Sequence, residues 1–153
     1  MSKYETLCQA YAKARKATLK SIVTCQGFAE LFMRYLGEYF QCAVEMRNIS
    51  FDEQGSMHFY PAITLYADPQ VPREETSEVV VISVSLEKVE DGYLITVFPW
   101  EKTFHLAAGT YDSLEAFRPA YDFIYEQILE AYDNTIISVA DAQANIRNLG
   151  WDF

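Results

Sequence analysis

The sequence predicts a single α+β domain: an antiparallel meander sheet of four to five strands, with N-terminal and C-terminal helices packed on one face. Three observations carry this. Apolar residues recur at helical intervals over the first forty residues and again from about residue 112 to 132. Between them the hydrophobic period drops toward two, and an Asp-Gly pair separates two β-rich runs. Helices grouped at both ends of hairpin-joined strands give a layered arrangement rather than a βαβ one.

The first helix opens at Ser2, which has capping-box spacing to Glu5, and continues through Tyr4, Leu7, Cys8, Tyr11, Leu19 and Ile22. A stronger stripe follows at Phe28, Leu31, Phe32, Tyr35, Leu36, Tyr39 and Phe40. Thr24 and Gly27 lie between the two patterns and predict a break or bend, with one continuous helix from about residue 3 to 40 as the alternative.

From Val44 the alternation places Val44, Met46 and Asn48 on one side of a strand and Glu45, Arg47 and Ile49 on the other, ending in the loop Asp52 to Ser56. A second strand spans Met57 to Tyr66, where Pro61 suggests an edge or a bulge because proline cannot donate to a ladder. The Pro- and Glu-containing stretch Ala67 to Ser77 reads as a loop. Val79–Leu86 and Tyr93–Phe98 then form a hairpin across Glu90, Asp91 and Gly92, in a turn whose central positions tolerate positive φ. Thr103–Leu106 adds a fifth strand.

Helix returns with Asp112 and Glu115 in capping-box spacing, followed by Leu114, Phe117, Tyr121, Ile124, Ile128 and Tyr132. Pro119 lies inside this pattern and predicts a kink or a second start. A short last helix is expected over Val139–Leu149, stopped by Gly150 before Trp151, Asp152 and Phe153.

With 153 residues and 50% hydrophobic composition the chain closes one real core, and it has no internal repeat or linker to divide it. No run approaches the roughly 18 to 20 apolar residues of a membrane span. The basic first twenty residues lack the apolar stretch of a secretory signal, so a soluble cytoplasmic protein is expected. Cys8, Cys25 and Cys42 are odd in number and match no metal-ligand spacing, which reads as reduced thiols.

The formal charge is −10, which disfavours direct binding of phosphate backbones. It is unevenly spread: Lys3, Lys13, Arg15, Lys16 and Lys20 against Glu5 give the first twenty residues a local +4 and leave −14 to the remainder. A solvated helix face is the plain reading of that basic segment, and an arm for an acidic partner is the functional one.

Common phosphate, metal and nucleophile signatures are absent, and neither His58 nor His105 comes with a recognisable catalytic companion. No cofactor or metal is expected. Asp122, Glu126 and Glu130 recur at i, i+4 and i+8, with Asp133 beyond, and form an acidic stripe opposite Tyr121, Ile124 and Ile128. If the helices cover the sheet side holding Phe59, Ile63, Val80, Ile82 and Val84, the other side displays His58, Tyr60, Thr64, Tyr66, Val79, Val81, Ser83 and Ser85, with Thr96, Phe98 and Trp100. Such a mixture of aromatics and hydroxyls suits a contact surface or a homodimer interface.

These features point to a small acidic, non-catalytic module that occludes a more basic protein, in the manner of an inhibitor, immunity-type protein or adaptor. Asp122, Glu126, Glu130, Asp133, His58, Tyr60, Tyr66 and Trp100 are its candidate contact residues. A nucleic-acid mimic that blocks a DNA-binding protein, and a small-molecule binder or enzyme with a dispersed site, are the alternatives.

Overall fold

Ser2 caps the first helix as its spacing to Glu5 predicts, its Oγ accepting the Glu5 amide at 3.1 Å. In the computed structural model, which describes residues 2–133 and 146–148, helix α1 runs unbroken over Lys3–Phe40. The predicted break is not there. The Thr24 hydroxyl donates back to the Lys20 carbonyl at 2.7 Å, and Gly27 faces open solvent, so neither interrupts the backbone ladder. Gln41 ends the helix in the left-handed region, with its amide on the Gly37 carbonyl. The second half of α1 buries Cys25, Phe28, Ala29, Phe32, Tyr35 and Leu36, while residues 3–20 are exposed throughout.

The strands are β1 (Val44–Phe51), β2 (Met57–Tyr66), β3 (Ser77–Val81), β4 (Ser83–Val89), β5 (Gly92–Phe98), β6 (Lys102–Ala107) and β7 (Ile146–Asn148). β2 is not an edge, as Pro61 had suggested: it pairs with β1 on one side and with β3 and β4 on the other. Both of the latter pairings share one register, running from Met57↔Leu86 to Tyr66↔Ser77, so β3 and β4 are two halves of a single strand. They part at Ile82, opposite Pro61. The Ile82 amide still donates to the Pro61 carbonyl at 2.9 Å, but proline has no N–H to return the bond. Counted this way, β1, β2, β3 with β4, β5 and β6 are a five-stranded antiparallel meander.

A bulge bends β1. Asn48 takes a φ of 53°, and the register against β2 shifts between Arg47 and Ser50. The extra residue reverses the side-chain parity that strict alternation predicts, so Phe51 rather than Ser50 packs against the core beside Met57. At the other hairpin, Val89 pairs with Gly92 across Glu90 and Asp91. Gly92 itself carries the positive φ, and a Cβ there would meet the Leu106 carbonyl oxygen at 1.9 Å, so this glycine permits β6 to approach.

β7 pairs in parallel with β3, which places Ile146–Asn148 in the sheet rather than at the end of the expected last helix. The rest of that helix and the tail from Gly150 lie outside the described residues.

Helix α2 (Leu114–Asp133) passes through Pro119 as one helix, with the proline exposed in its second turn. The anticipated capping box does not form. Glu115 instead takes Arg118 in a bidentate pair at 2.7 and 2.9 Å, which holds the Glu115 carboxyl below its usual range. Phe117, Ala120, Tyr121 and Ile124 are its buried face. Together with α1 they cover the inner sheet face of Met57, Phe59, Ile63, Val80, Ile82, Val84, Leu86, Tyr93, Ile95, Val97 and Leu106. Aromatic rings tie the layers together: Phe32 meets Phe59, Phe117 and Tyr121 edge-on, and Phe28 stacks on Tyr93 with centroids 3.9 Å apart.

Candidate contact surfaces

The structure divides the sequence-predicted contact residues between two separate surfaces. On the outer sheet face, paired positions make a polar row of Ser50, His58, Ser85, Thr96 and Thr103 across all strands of the meander. Thr96 and Thr103 share a hydrogen bond at 3.0 Å. Tyr60 belongs to the next row, opposite Arg47. This face is not evenly open, because Ala62 and Val81 on it are 4% and 2% exposed.

Both histidines sit on this face, each beside an aspartate. His58 Nε2 is 3.1 Å from Asp52 Oδ2, while Asp52 Oδ1 accepts the Gln54 and Ser56 amides at 2.9 Å. The hydrogen bond from His58, with those two amides, lowers the Asp52 pKa. His105 Nε2 is 3.1 Å from Asp91 Oδ1. Each pair ties a strand to a neighbouring loop and has no nucleophile bonded to it, so its geometry is that of a loop clasp.

Trp100 is not on that face. It lies in the turn between β5 and β6 and packs edge-on against Phe123 of α2, with centroids 5.7 Å apart. The strand alternation that placed it outward had already ended at Phe98, and the turn carries the indole round to the helix side.

The second surface is the outer side of α2. Glu126, Glu130 and Asp133 are exposed there, but Asp122 is half-buried and accepts the Tyr39 hydroxyl at 2.6 Å. Burial, and then this bond to a carboxylate, push the Tyr39 phenol up to about 12. Asp122 is therefore a strut between α1 and α2, and the exposed acidic row is Glu126, Glu130 and Asp133.

Beside that row runs an apolar groove the sequence reading missed. A cavity of about 230 Å³ is lined by Phe40, Ile63, Leu65, Val80, Tyr125, Ile128, Leu129 and Tyr132, with no polar side chain other than the two tyrosines among the described residues. It adjoins a larger hollow of about 330 Å³ that contains Tyr66, Glu75, Ser77 and Glu78 and shares Leu65 and Tyr132. Tyr125 and Leu129, each 46% exposed, form the lip next to Glu126 and Glu130. The Tyr132 hydroxyl donates to Glu78 Oε2, while Glu78 Oε1 is buried and finds no hydrogen-bond partner among the described residues. Among the described residues neither hollow is lined by Lys or Arg. Tyr66 lines that larger hollow at the end of β2, and the register keeps it on the same sheet face as His58 and Tyr60.

One signal for the groove was present in the sequence. Tyr125, Leu129 and Tyr132 recur at i, i+4 and i+7, a second apolar row one step round α2 from the core row Phe117, Tyr121, Ile124 and Ile128. A helix with two such rows has one more apolar face than a single sheet can cover. The contributions of Phe40 and Leu65 depend on tertiary packing and had no local signature.

No group of three or more His, Cys, Asp or Glu side chains that could hold a metal ion is formed among the described residues, and no described helix is long and apolar enough to cross a membrane. Cys8 and Cys42 are exposed, Cys25 is buried, and all three are free. Comparison of the chain with protein-family models, with curated proteins and with solved structures gives no match.

Proposed function

We propose that the chain is a small acidic binding module that acts by occluding a more basic protein partner, as an inhibitor, immunity-type protein or adaptor does, and that the groove beside α2 is its principal contact surface. The observation that carries this is an apolar groove with exposed Tyr125 and Leu129 at its lip, on a helix whose next face carries the exposed carboxylates Glu126, Glu130 and Asp133. An apolar centre supplies burial and a neighbouring acidic face supplies steering, the usual division of labour in a protein interface. Glu78 Oε1, without a hydrogen-bond partner among the described residues, adds a place for one donor from the partner. A nucleic-acid mimic is less well supported, because its carboxylates would form an unbroken row, whereas here Asp122 is already engaged and the next face of α2 is apolar. Cytoplasmic residence belongs to the same proposal, since exposed free Cys8 and Cys42 suit a reducing compartment.

Affinity capture on three immobilised forms tests the reading: wild type, Glu126→Lys/Glu130→Lys, and Tyr60→Asp on the outer sheet face. The expected result is a stoichiometric basic protein, released by moderate salt, retained by wild type and by the sheet-face variant and lost from the charge-reversed one. Capture that survives charge reversal, or no capture above background, overturns it.

A further inference from the structure

The first half of α1 is exposed at every residue from 3 to 20, and at 1.5 Å per residue this arm is about 27 Å long. Helices in proteins draw most of their stability from packing of an apolar face, and here that face is open. Tyr4, Leu7 and Tyr11 are 75%, 68% and 68% exposed, and with Cys8 they form one row at i, i+3, i+4 and i+7. Lys13, Lys16 and Lys20 form a second row at i, i+3 and i+7. Lys13 follows Tyr11 by two residues, about 200° round the helix, so the two rows stand on opposite sides.

The arm is the basic pole of an acidic chain: Lys3, Lys13, Arg15, Lys16 and Lys20 against Glu5 make it locally +4, while the remainder is −14. Charges are screened over about 8 Å at physiological ionic strength, so much of the arm is felt apart from the body. Charge divided in this way turns the molecule arm-first toward an anionic surface. Two features favour lipid over an acidic protein groove. Arg15 lies four residues on from Tyr11, on the apolar side, whereas the lysine row lies opposite; a groove covers one side of a helix and would leave that row unmatched. Headgroups meet a half-sunk helix along both flanks, within reach of long lysine stems, and tyrosine rings suit the same boundary. In a straight helix successive heptads drift by about 20°, which over the three heptads from Cys25 back to Tyr4 turns the open face about 60° aside from the one that meets the sheet.

We infer that the N-terminal arm of α1 docks on an anionic membrane surface, its Tyr4, Leu7 and Tyr11 face entering the headgroup boundary and its basic side chains meeting lipid phosphates and carboxylates. The arm lies on the bilayer and does not cross it, since no described helix is long and apolar enough to do so. The groove beside α2 is a separate surface, so neither contact depends on the other.

Co-sedimentation of the full-length chain with vesicles tests this, using phosphatidylcholine alone and phosphatidylcholine mixed with phosphatidylserine. Two variants accompany wild type: Leu7→Asp/Tyr11→Asp on the apolar side and Lys13→Glu/Lys16→Glu/Lys20→Glu on the basic side. All five side chains are exposed, so circular dichroism and thermal unfolding should match wild type in both. Wild type should pellet with the anionic vesicles, stay in solution with the neutral ones and be released by added salt. The basic-side variant should lose at least about a hundredfold in partitioning, roughly fivefold for each lysine, and the apolar-side variant should also lose binding. No binding of wild type to anionic vesicles, or equal binding to neutral ones, overturns the inference. Binding kept by the apolar-side variant shows adhesion by charge alone and overturns the Tyr4, Leu7 and Tyr11 face as the seat. Binding unaffected by either variant places the contact elsewhere on the molecule and overturns it as well.

Discussion

The two halves of α1 carry one heptad phase and meet opposite surroundings. Stepping back by sevens from Cys25, Phe28 and Ala29 reaches Thr18, Ser21 and Ile22, then Tyr11, Ala14 and Arg15, then Tyr4, Leu7 and Cys8. The later turns press this face onto the sheet and α2; the earlier turns hold it out in solvent. An amphipathic pattern therefore states that a face is to be covered and not by what. The C-terminal half is covered within its own chain. The N-terminal half is left with the same demand, weaker apolar side chains and the positive charge.

The sharpest way to break the comparison is to cut the buried half. Phe32→Ala should lower unfolding free energy by about 3–5 kcal/mol, read as a denaturant midpoint, because the ring touches Phe59, Phe117 and Tyr121 and leaves a cavity between three elements. Loss well under that range would mean the helix can collapse onto the sheet and is not closely packed.

Alkali should act on the same half. Burial raises the Tyr93 phenol to about 12, burial and Asp122 raise Tyr39 to about 12, and burial raises Tyr121 further. Each favours its neutral form when folded, so its contribution is complete below the ordinary tyrosine pKa of about 10 and is lost as pH rises through the higher folded value. Chemical denaturation midpoints should hold steady up to about pH 10 and fall between there and about 12, with phenolate absorbance rising in the same interval. A midpoint indifferent to pH across that window would show that these rings are not held as described.

Smaller effects sharpen the contrast. Tyr39→Phe removes the hydroxyl that joins α1 to Asp122 and should cost about 1 kcal/mol, measured by urea unfolding at neutral pH. Tyr11→Ala, in the exposed half, should change the stability of the monomeric protein by no more than about 0.5 kcal/mol. Equal costs for the two would erase the distinction between the halves. The smallest change is expected in the loop after β1, at Asp52. Its lowered carboxyl contributes above the ordinary aspartate range, and that contribution fades as pH falls through its folded value. Amide resonances of Gln54 and Ser56 should report this in acid while the core signals stay fixed.

How far the sequence carried depends on the range of the interactions that decide each feature. The inner sheet residues, the Ser2 cap and α2 follow from spacing within a few residues and were legible. The continuity of α1 was harder, because Gly27 costs a helix only about 1 kcal/mol and packing on either side outweighs it. The β1 bulge inverted the parity of Ser50 and Phe51, which no strict alternation contains. Pro61 was read as an edge signal, yet it lies in an interior strand because a single missing donor opposite Ile82 is tolerated within an otherwise shared register. The groove is assembled from Phe40, Leu65 and Leu129, contributed by three elements that packing alone brings together. The placement of Trp100 against Phe123 was hidden for the same reason.

Three phenols cross the seam between α1 and the segment that contains α2. Tyr35 donates to the Asp112 carbonyl at 2.9 Å, Tyr39 to Asp122 at 2.6 Å, and Tyr121 to the Phe32 carbonyl at 2.7 Å. Greasy faces alone would let one helix slip by a turn along the other at little expense, since leucine-like contacts are interchangeable. Hydroxyls are not, because each must find one particular oxygen. The two helices are thus keyed in rotation and in axial position together, and a chain this rich in tyrosine gains from its rings a single address for every residue along the seam.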